Sequence, residues 1–230
     1  IESITIRVTE NDEVVLFDPY SLEQISTLDS EKVTEILCKS GLWPSLRRRP
    51  FSKIAIPNTL PKSIFISTMS TAPFAADLEV VLEQTKQGII QAGIDALKFL
   101  TNGSINMVSP QNLPNTKLTD LNNVQQHTYS GPHPAGNIGV HVSKIDPIKN
   151  KEDSIWYISI QDLISIGKLF LTGKVDYRKI ITVAGSSVSE KQHYSVNRGT
   201  LISQILSNNK VEVDARIISG DILTGSISYM

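Results

Sequence analysis

The apolar positions change their rhythm several times along this chain, and each change marks an element. In "SEKVTEILCKSG" Val33, Ile36 and Leu37 share one face at helical spacing, with Asp29 or Ser30 at the N-cap and Gly41 just past the end. A short helix is predicted there. The next stretch, "LWPSLRRRPFSKIAIPNTLP", carries Pro44, Pro50, Pro57 and Pro61, so it reads as a long irregular connection that regular hydrogen bonding cannot fill. Loops of that length usually serve a purpose.

"KSIFISTM" has the composition of a strand, and "TAPFAADLEVVLEQTKQGIIQAGIDALKFLTNG" predicts one helix of about six turns, from near Asp77 to a stop at Asn102 and Gly103. "SINMV" and "VQQHTYS" supply two further strands, joined by a polar connection over residues 110 to 123. "SIWYISI" is another strand, and "QDLISIGKLFLTG" a helix whose Leu163, Ile164, Leu169 and Phe170 line up before Gly173. Strands alternating with helices predict an α/β fold with a mostly parallel, covered sheet.

Beyond residue 174 the texture changes. "RKIITVAG" and "ARIISG" are short strands with one short helix, "RGTLISQIL", between them, which predicts a small α+β unit in which a few strands clasp a helix. The chain therefore divides into residues 1–28, 29–174 and 175–230. Its first residues, "IESITIRVTENDEVV", alternate like a strand and lack the apolar core of a signal peptide. Starting in mid-strand without a methionine, and ending as abruptly at "DILTGSISYM", the sequence reads as an internal piece of a longer chain.

Composition narrows the function classes. Apolar residues make up 40% and charged residues 20%, ordinary for a folded domain of 230 residues. A net charge of -1, with no basic cluster interleaved with aromatics, gives no field to attract nucleic acid. Acids outnumber bases nine to three over residues 1 to 46, and Arg47, Arg48, Arg49 and Lys53 follow at once. The acidic stretch reads as a solvated face. One cysteine, Cys38, excludes internal disulfides, cysteine-ligated zinc and iron-sulfur clusters held by this chain alone. No run of about 18 apolar residues is present, so no transmembrane segment is expected.

Candidate chemistry gathers in two places. "YSGPHPAGNIGVH" follows a predicted strand, where open α/β sheets bind ligands. A phosphate cradle needs free backbone N–H groups, yet the run from Gly131 to Gly136 puts His133 at the middle glycine position and flanks it with Pro132 and Pro134. Three other readings stand beside the cradle. His127, His133 and His141 converge on a metal, although their spacing suits no helix face and no acid or cysteine lies among them. Pro134 opens a helix with His133 near its cap, Gly136 and Gly139 allowing close packing. Or Gly131, His133 and Gly136 border a pocket for a small polar or quinone-like molecule, with a neutral imidazole donating to a carbonyl. Ser130, His133 and Asp146 can be written as a triad, but no nucleophile elbow supports one, and no catalytic residues are assigned.

The second place is "RRRPFSK". Arginine triplets are most often solvated or paired with acids. Alternatively, Arg49, Phe51 and Lys53 form an amphipathic rim in which cationic groups polarise a carbonyl and the phenyl ring covers an apolar head group, or the triplet contacts a protein partner or an anionic lipid surface. Trp43 and Trp156 read as core or interface anchors.

Taken together, "SGLWPSLRRRPFSK", "SGPHPAGNIGVH", "IWYISIQDLISIGKLFLTG" and "RIISGDILTG" resemble, in order and over essentially the whole chain, the NqrA family, one of the component proteins of the bacterial sodium-translocating NADH:quinone oxidoreductases. The resemblance implies a Rossmann-like domain similar to that of the flavin-binding component of respiratory complex I, followed by a ubiquitin-like β-grasp domain of the soluble-ligand-binding (SLBB) type. It also implies an amino-terminal lipoyl-like β-domain, whose end and linker would be residues 1–28, and a carboxyl-terminal extension. Family members are peripheral subunits on the cytoplasmic face of the bacterial inner membrane, in a six-subunit complex that oxidises NADH, reduces ubiquinone and exports sodium. Flavins and the iron-sulfur centre belong to other subunits, so no flavin, iron-sulfur centre or metal is expected on this chain, with ubiquinone as its substrate and the other subunits as its partners. Quinone contact is carried over to Arg49, Pro50, Phe51, Ser52 and Lys53, and docking of the other subunits to Arg47 and Arg48. Direct flavin or NADH binding, and a purely structural docking role, remain alternatives.

Overall fold

The computed structural model describes residue 9 and residues 13–113, 116–212 and 214–229. Most of the strand expected in the first residues lies outside these. The chain enters through a one-turn helix α1 (Leu22–Ile25) and then α2 (Ser30–Lys39), where Asp29 caps as expected by accepting the N–H of Lys32 at 2.7 Å. Residues 42 to 61 are more regular than their prolines predicted. After a short 3-10 turn, β1 (Arg47–Arg49) and β2 (Lys53–Ile54) form an antiparallel hairpin on the edge of the main sheet. The prolines stand outside the paired residues, which is how an edge ribbon accommodates them.

β3 (Ser63–Ser67) is the first parallel strand. The single long helix expected after it is two helices, α3 (Leu78–Glu83) and α4 (Gln87–Lys98), broken over Gln84 to Lys86. Apolar periodicity continues through this break, so the pattern alone hides it. β4 (Ser104–Pro110), β5 (Gln125–Tyr129), α5 (Ile138–Ile145), β6 (Ile155–Ser159) and α6 (Ile160–Thr172) complete the first part. α6 is fully legible: the Ser159 hydroxyl accepts the N–H of Asp162, and Gly173 closes the helix at φ 68°, the left-handed conformation that glycine adopts at no steric cost.

The six strands lie in the order β2-β1-β6-β3-β4-β5, with β6, β3, β4 and β5 parallel. Side chains alternate across the sheet with period two. Ile64, Ile66, Ile105, Met107, Trp156 and Ile158 face the layer that contains α4 and α6, while Phe65, Val108 and Ile155 face Val142 of α5. Trp43 and Trp156 meet edge to face, with centroids 5.7 Å apart, as core anchors.

The remaining elements are β7 (Arg178–Val183), β8 (Gln192–Asn197), the single turn α7 (Ile202–Ile205), β9 (Ile217–Ser219) and β10 (Ser226–Ser228). β7 pairs antiparallel with β8, and β9 with β10, as two separate hairpins. The strands β8 and β10, polar at most positions, escaped the sequence reading.

Candidate functional site

The two candidate loops are linked on the α5 face of the sheet through Gly139, three residues past the Gly131–Gly136 loop, which meets Arg49. The Pro50–Ser52 turn joins β1 to β2, and there the Phe51 ring is 70% exposed. Arg47 Nη2 donates to the Ser52 carbonyl, and Arg49 Nη1 to the Ser52 hydroxyl at 2.9 Å. Arg47 and Arg49 pair with Tyr157 and Ile155 of β6, so both lie on the α5 side. A Cβ added to Gly139, in the first turn of α5, would sit 3.3 Å from Arg49 Nη2. The bare glycine makes room for the guanidinium. Arg48 pairs with Trp156, on the opposite face; it is half-buried, with Nε lacking a partner among the described residues. Lys53 is exposed.

The Gly131–Gly136 loop is closed on itself and on its neighbour. Thr71, from the loop after β3, accepts the N–H of Gly136 at 2.9 Å, and its hydroxyl lies 3.3 Å from His133 Nδ1. An added Cβ at Gly136 would stand 2.7 Å from the Thr71 backbone nitrogen. Pro134 does not open a helix, contrary to the packing expectation: it lies in a turn whose carbonyl accepts the Asn137 N–H, and α5 starts four residues later with Asn137 as its N-cap. The turn takes precedence because Ala135 and Asn137 bond back to Pro132 and Pro134.

The three histidines have separate partners. His127 Nε2 lies 3.0 Å from Asn106 Oδ1, His133 meets Thr71, and His141 donates from Nε2 to the Ala135 carbonyl at 2.8 Å. His141 is fully buried against the Tyr129 ring, with centroids 5.2 Å apart. Burial lowers its pKa below the ordinary imidazole value, opposed by the bond to Ala135. Among the described residues no three His, Cys, Asp or Glu side chains converge to hold a metal. Asp146 accepts the Ser63 hydroxyl at 2.7 Å and pairs with Lys62, apart from His133.

Strand order relocates the nucleotide question. Counting from β3, the parallel strands run third, second, first, fourth across the sheet, the arrangement of a nucleotide-binding half, with the topological switch between β3 and β6. A diphosphate loop belongs after the first strand, and here that is "TMSTAPFAAD", which contains no glycine. The Gly131 loop follows the third strand. Sequence reading missed Thr71 and, although it singled out Gly139 for close packing, missed that its neighbour is Arg49, because both depend on which strands and loops the fold brings together.

The fold defines a class: a doubly wound α/β domain followed by a small β-rich unit. The chain belongs to the NqrA family, matching the model of the NqrA second alpha/beta domain over residues 28–175 and that of the NQRA C-terminal, SLBB, domain over 180–229. It is 36% identical over 228 residues to the NqrA protein of the Na(+)-translocating NADH-quinone reductase of Pasteurella multocida, covering 98% of this chain and 50% of that protein. The corresponding protein of Haemophilus influenzae is 38% identical, with 99% and 50% covered, and that of Yersinia pestis 36%, with 98% and 50%. The chain thus spans about half the length of the relatives it matches. Among the described residues no helix is long and apolar enough to cross a membrane.

Proposed function

We propose that this chain is the quinone-facing and partner-docking part of a sodium-translocating NADH:quinone oxidoreductase. It works as a peripheral component on the cytoplasmic face of the bacterial inner membrane, beside the other subunits. Residues 29–174 and 175–230 act as its two domains, with residues 1–28 leading in from a preceding one. The chain carries no flavin, iron-sulfur centre or metal of its own, and electrons reach the quinone from partners.

One observation carries this reading: an exposed Phe51 ring at a hairpin tip whose two flanking arginines fold back onto Ser52. An aromatic face covers an apolar quinone head, while guanidinium N–H groups donate to its carbonyl oxygens. Pro50 and Ser52 shape the turn, Lys53 adds an exposed cation, and Gly131, His133 and Gly136 border the same face. Arg47 is the exposed member of the docking pair, whereas half-buried Arg48 contributes less to any partner surface.

Both tryptophans lie behind the hairpin. Trp156 pairs with Arg48, and Trp43 Nε1 donates to the Ala55 carbonyl just past β2 at 2.8 Å. Titration with a short-chain ubiquinone analogue, followed by tryptophan fluorescence, is expected to give a saturable change that Phe51→Ala weakens at least tenfold. A change that does not saturate, or is identical in Phe51→Ala with an intact fold, would remove the quinone role and leave docking alone.

A further inference from the structure

The β1–β2 hairpin concentrates cations without counter-charges. Between Glu35 and Asp77 the sequence holds no acidic residue, while Lys39, Arg47, Arg48, Arg49, Lys53 and Lys62 all fall in that span. Lys39 pairs with Glu35 and Lys62 with Asp146, but among the described residues none of Arg47, Arg48, Arg49 and Lys53 makes an ion pair. Arg49 pairs with Ile155, so the turn lies beside the segment that enters β6, where Lys149 and Lys151 stand against Glu152 and Asp153 with no excess of acid.

These cations surround an apolar point. β2 is the outermost strand, so the hairpin forms the rim of the sheet, with the exposed Phe51 ring at its turn. Arg48 stands opposite Lys53 on one face; Arg47 stands opposite the exposed Ile54 on the other, and Arg49 shares the side of Arg47. Charge therefore flanks the tip on both faces rather than meeting at one spot. Arg47 and Lys53 are exposed, Arg48 and Arg49 half-buried. Arg47 and Arg49 each give one bond to Ser52, which leaves further guanidinium N–H groups without an acceptor among the described residues. At about 3.4 Å per residue, the step from Arg49 back to Arg47 spans about 7 Å. The headgroup layer of one bilayer leaflet is about 5–8 Å deep.

We propose that the hairpin rests tip-first on an anionic phospholipid bilayer, its cations among the headgroup phosphates and Phe51 at the acyl boundary. A phenyl ring set ahead of a collar of cations follows the depth order of a membrane surface, apolar inward and cationic at the headgroups. An acidic protein surface matches the charge but not this order. Each cation near an anionic surface strengthens binding about fivefold, so two exposed and two half-buried ones give a reversible contact. The inference goes beyond the quinone reading and does not depend on it, and it extends the docking role of Arg47 from proteins to lipid.

The test is flotation of the whole chain with quinone-free vesicles. Vesicles of phosphatidylglycerol and phosphatidylcholine in equal parts should bind it, pure phosphatidylcholine at least about tenfold less, and raising the salt from about 0.05 M to about 0.5 M should release it. Lys53→Gln, which breaks no bond among the described residues, should weaken binding about fivefold, and Arg47→Gln about as much again. Phe51→Trp should add emission that shifts to the blue on binding and is quenched by acyl chains brominated near the headgroup. Equal binding to neutral vesicles, undiminished binding in both glutamine variants, or Phe51→Trp emission untouched by the brominated lipid would overturn the proposal. So would inorganic phosphate displacing the chain more than sodium chloride of equal ionic strength, which would make the ligand a free anion, or tighter retention by polyglutamate than by the vesicles, which would make it an acidic protein. Because the vesicles lack quinone, failure here leaves the ubiquinone-analogue titration standing, and failure of that titration leaves this result standing.

Discussion

The α/β part and the residues after it are held together by different forces. From Ile25 to Phe170 the sheet and its helices bury an apolar core on both faces, whereas beyond Tyr177, among the described residues, only Leu206 joins the buried apolar set. Each fully buried Ile, Leu or Phe contributes about 1.5–3 kcal/mol. The second part is joined to the first by polar contacts: Gln161 exchanges two amide bonds with the Ile180 backbone, Tyr177 donates to the Ser40 carbonyl, and Asp162 receives Lys179 and Arg198. Such bonds contribute roughly 1 kcal/mol each and are directional. The first part is therefore a packed body, and the second is a docked one whose seam responds to charge.

The sharpest way to break the contrast is in the packed body. A Cβ on Gly167 would meet the Ile89 carbonyl oxygen at 1.9 Å, where α4 and α6 touch backbone to backbone. Rigid helices cannot yield to that, so Gly167→Ala is expected to cost about 2–4 kcal/mol in urea unfolding. Leu206→Ala, in the second part, should cost about 1 kcal/mol, because its surroundings collapse more readily. Equal costs would erase the distinction between the two parts.

The seam itself comes next. Lys179 and Asp162 are each 16% exposed, intermediate between a surface pair and a buried one. Asp162→Asn strips both Lys179 and Arg198 of their anion, and is expected to weaken docking by about 1–3 kcal/mol. The readout is faster proteolysis over residues 173 to 178 with an unchanged unfolding midpoint for the α/β part. A matching loss in that midpoint would mean the two parts unfold as one body.

Acid offers a milder probe. Arg178 and Lys168 hold the Asp176 carboxyl far below the usual carboxylate range, against the opposing effect of its burial. A depressed folded-state pKa means that the contribution is fully present above the unfolded value of about 4 and fades as pH falls below it. His141 acts earlier, because its lowered pKa makes the folded state resist protonation as pH drops through about 6.5. The α/β midpoint should therefore begin to fall near pH 6, while proteolysis at the seam stays constant until about pH 4. Simultaneous onset would assign both effects to one titration.

What the sequence made legible follows the same division. Strands β3, β4 and β6 and helix α6 stood out because burial on both faces imposes long apolar runs and sharp caps, as at Ser159 and Gly173. The break at Gln84 to Lys86 did not, since both halves of the expected helix keep an apolar stripe. The β1–β2 hairpin was masked by prolines that lie outside its pairs. β8, "QHYSVN", alternates too weakly to signal a strand because only Tyr194 and Val196 are half-buried. In the candidate site, the residues of the Arg49–Lys53 and Gly131–Gly136 loops were legible from composition. Thr71 and the contact of Gly139 with Arg49 were not, because they depend on strand order and on side chains brought together from distant positions.

Gly139 allows the finest comparison, since it lies in the packed body yet borders the proposed quinone face. Alanine is favoured over glycine by up to about 1 kcal/mol inside a helix. Among the described residues, the only neighbour of the new methyl group within 4 Å outside its own helix backbone is the far end of the Arg49 side chain, at 3.3 Å from Nη2 and 3.9 Å from Cζ. A flexible guanidinium gives way by tenths of an ångström, unlike the Ile89 carbonyl at Gly167. Gly139→Ala should therefore leave the protein as stable or up to about 1 kcal/mol more stable, while the displaced Arg49 loosens its bond to the Ser52 hydroxyl. In the ubiquinone-analogue titration the variant should bind two- to fivefold more weakly despite its greater stability. Unaltered affinity would show that Arg49 touches Gly139 only as packing, and would leave Phe51 and Arg47 as the working residues of that face.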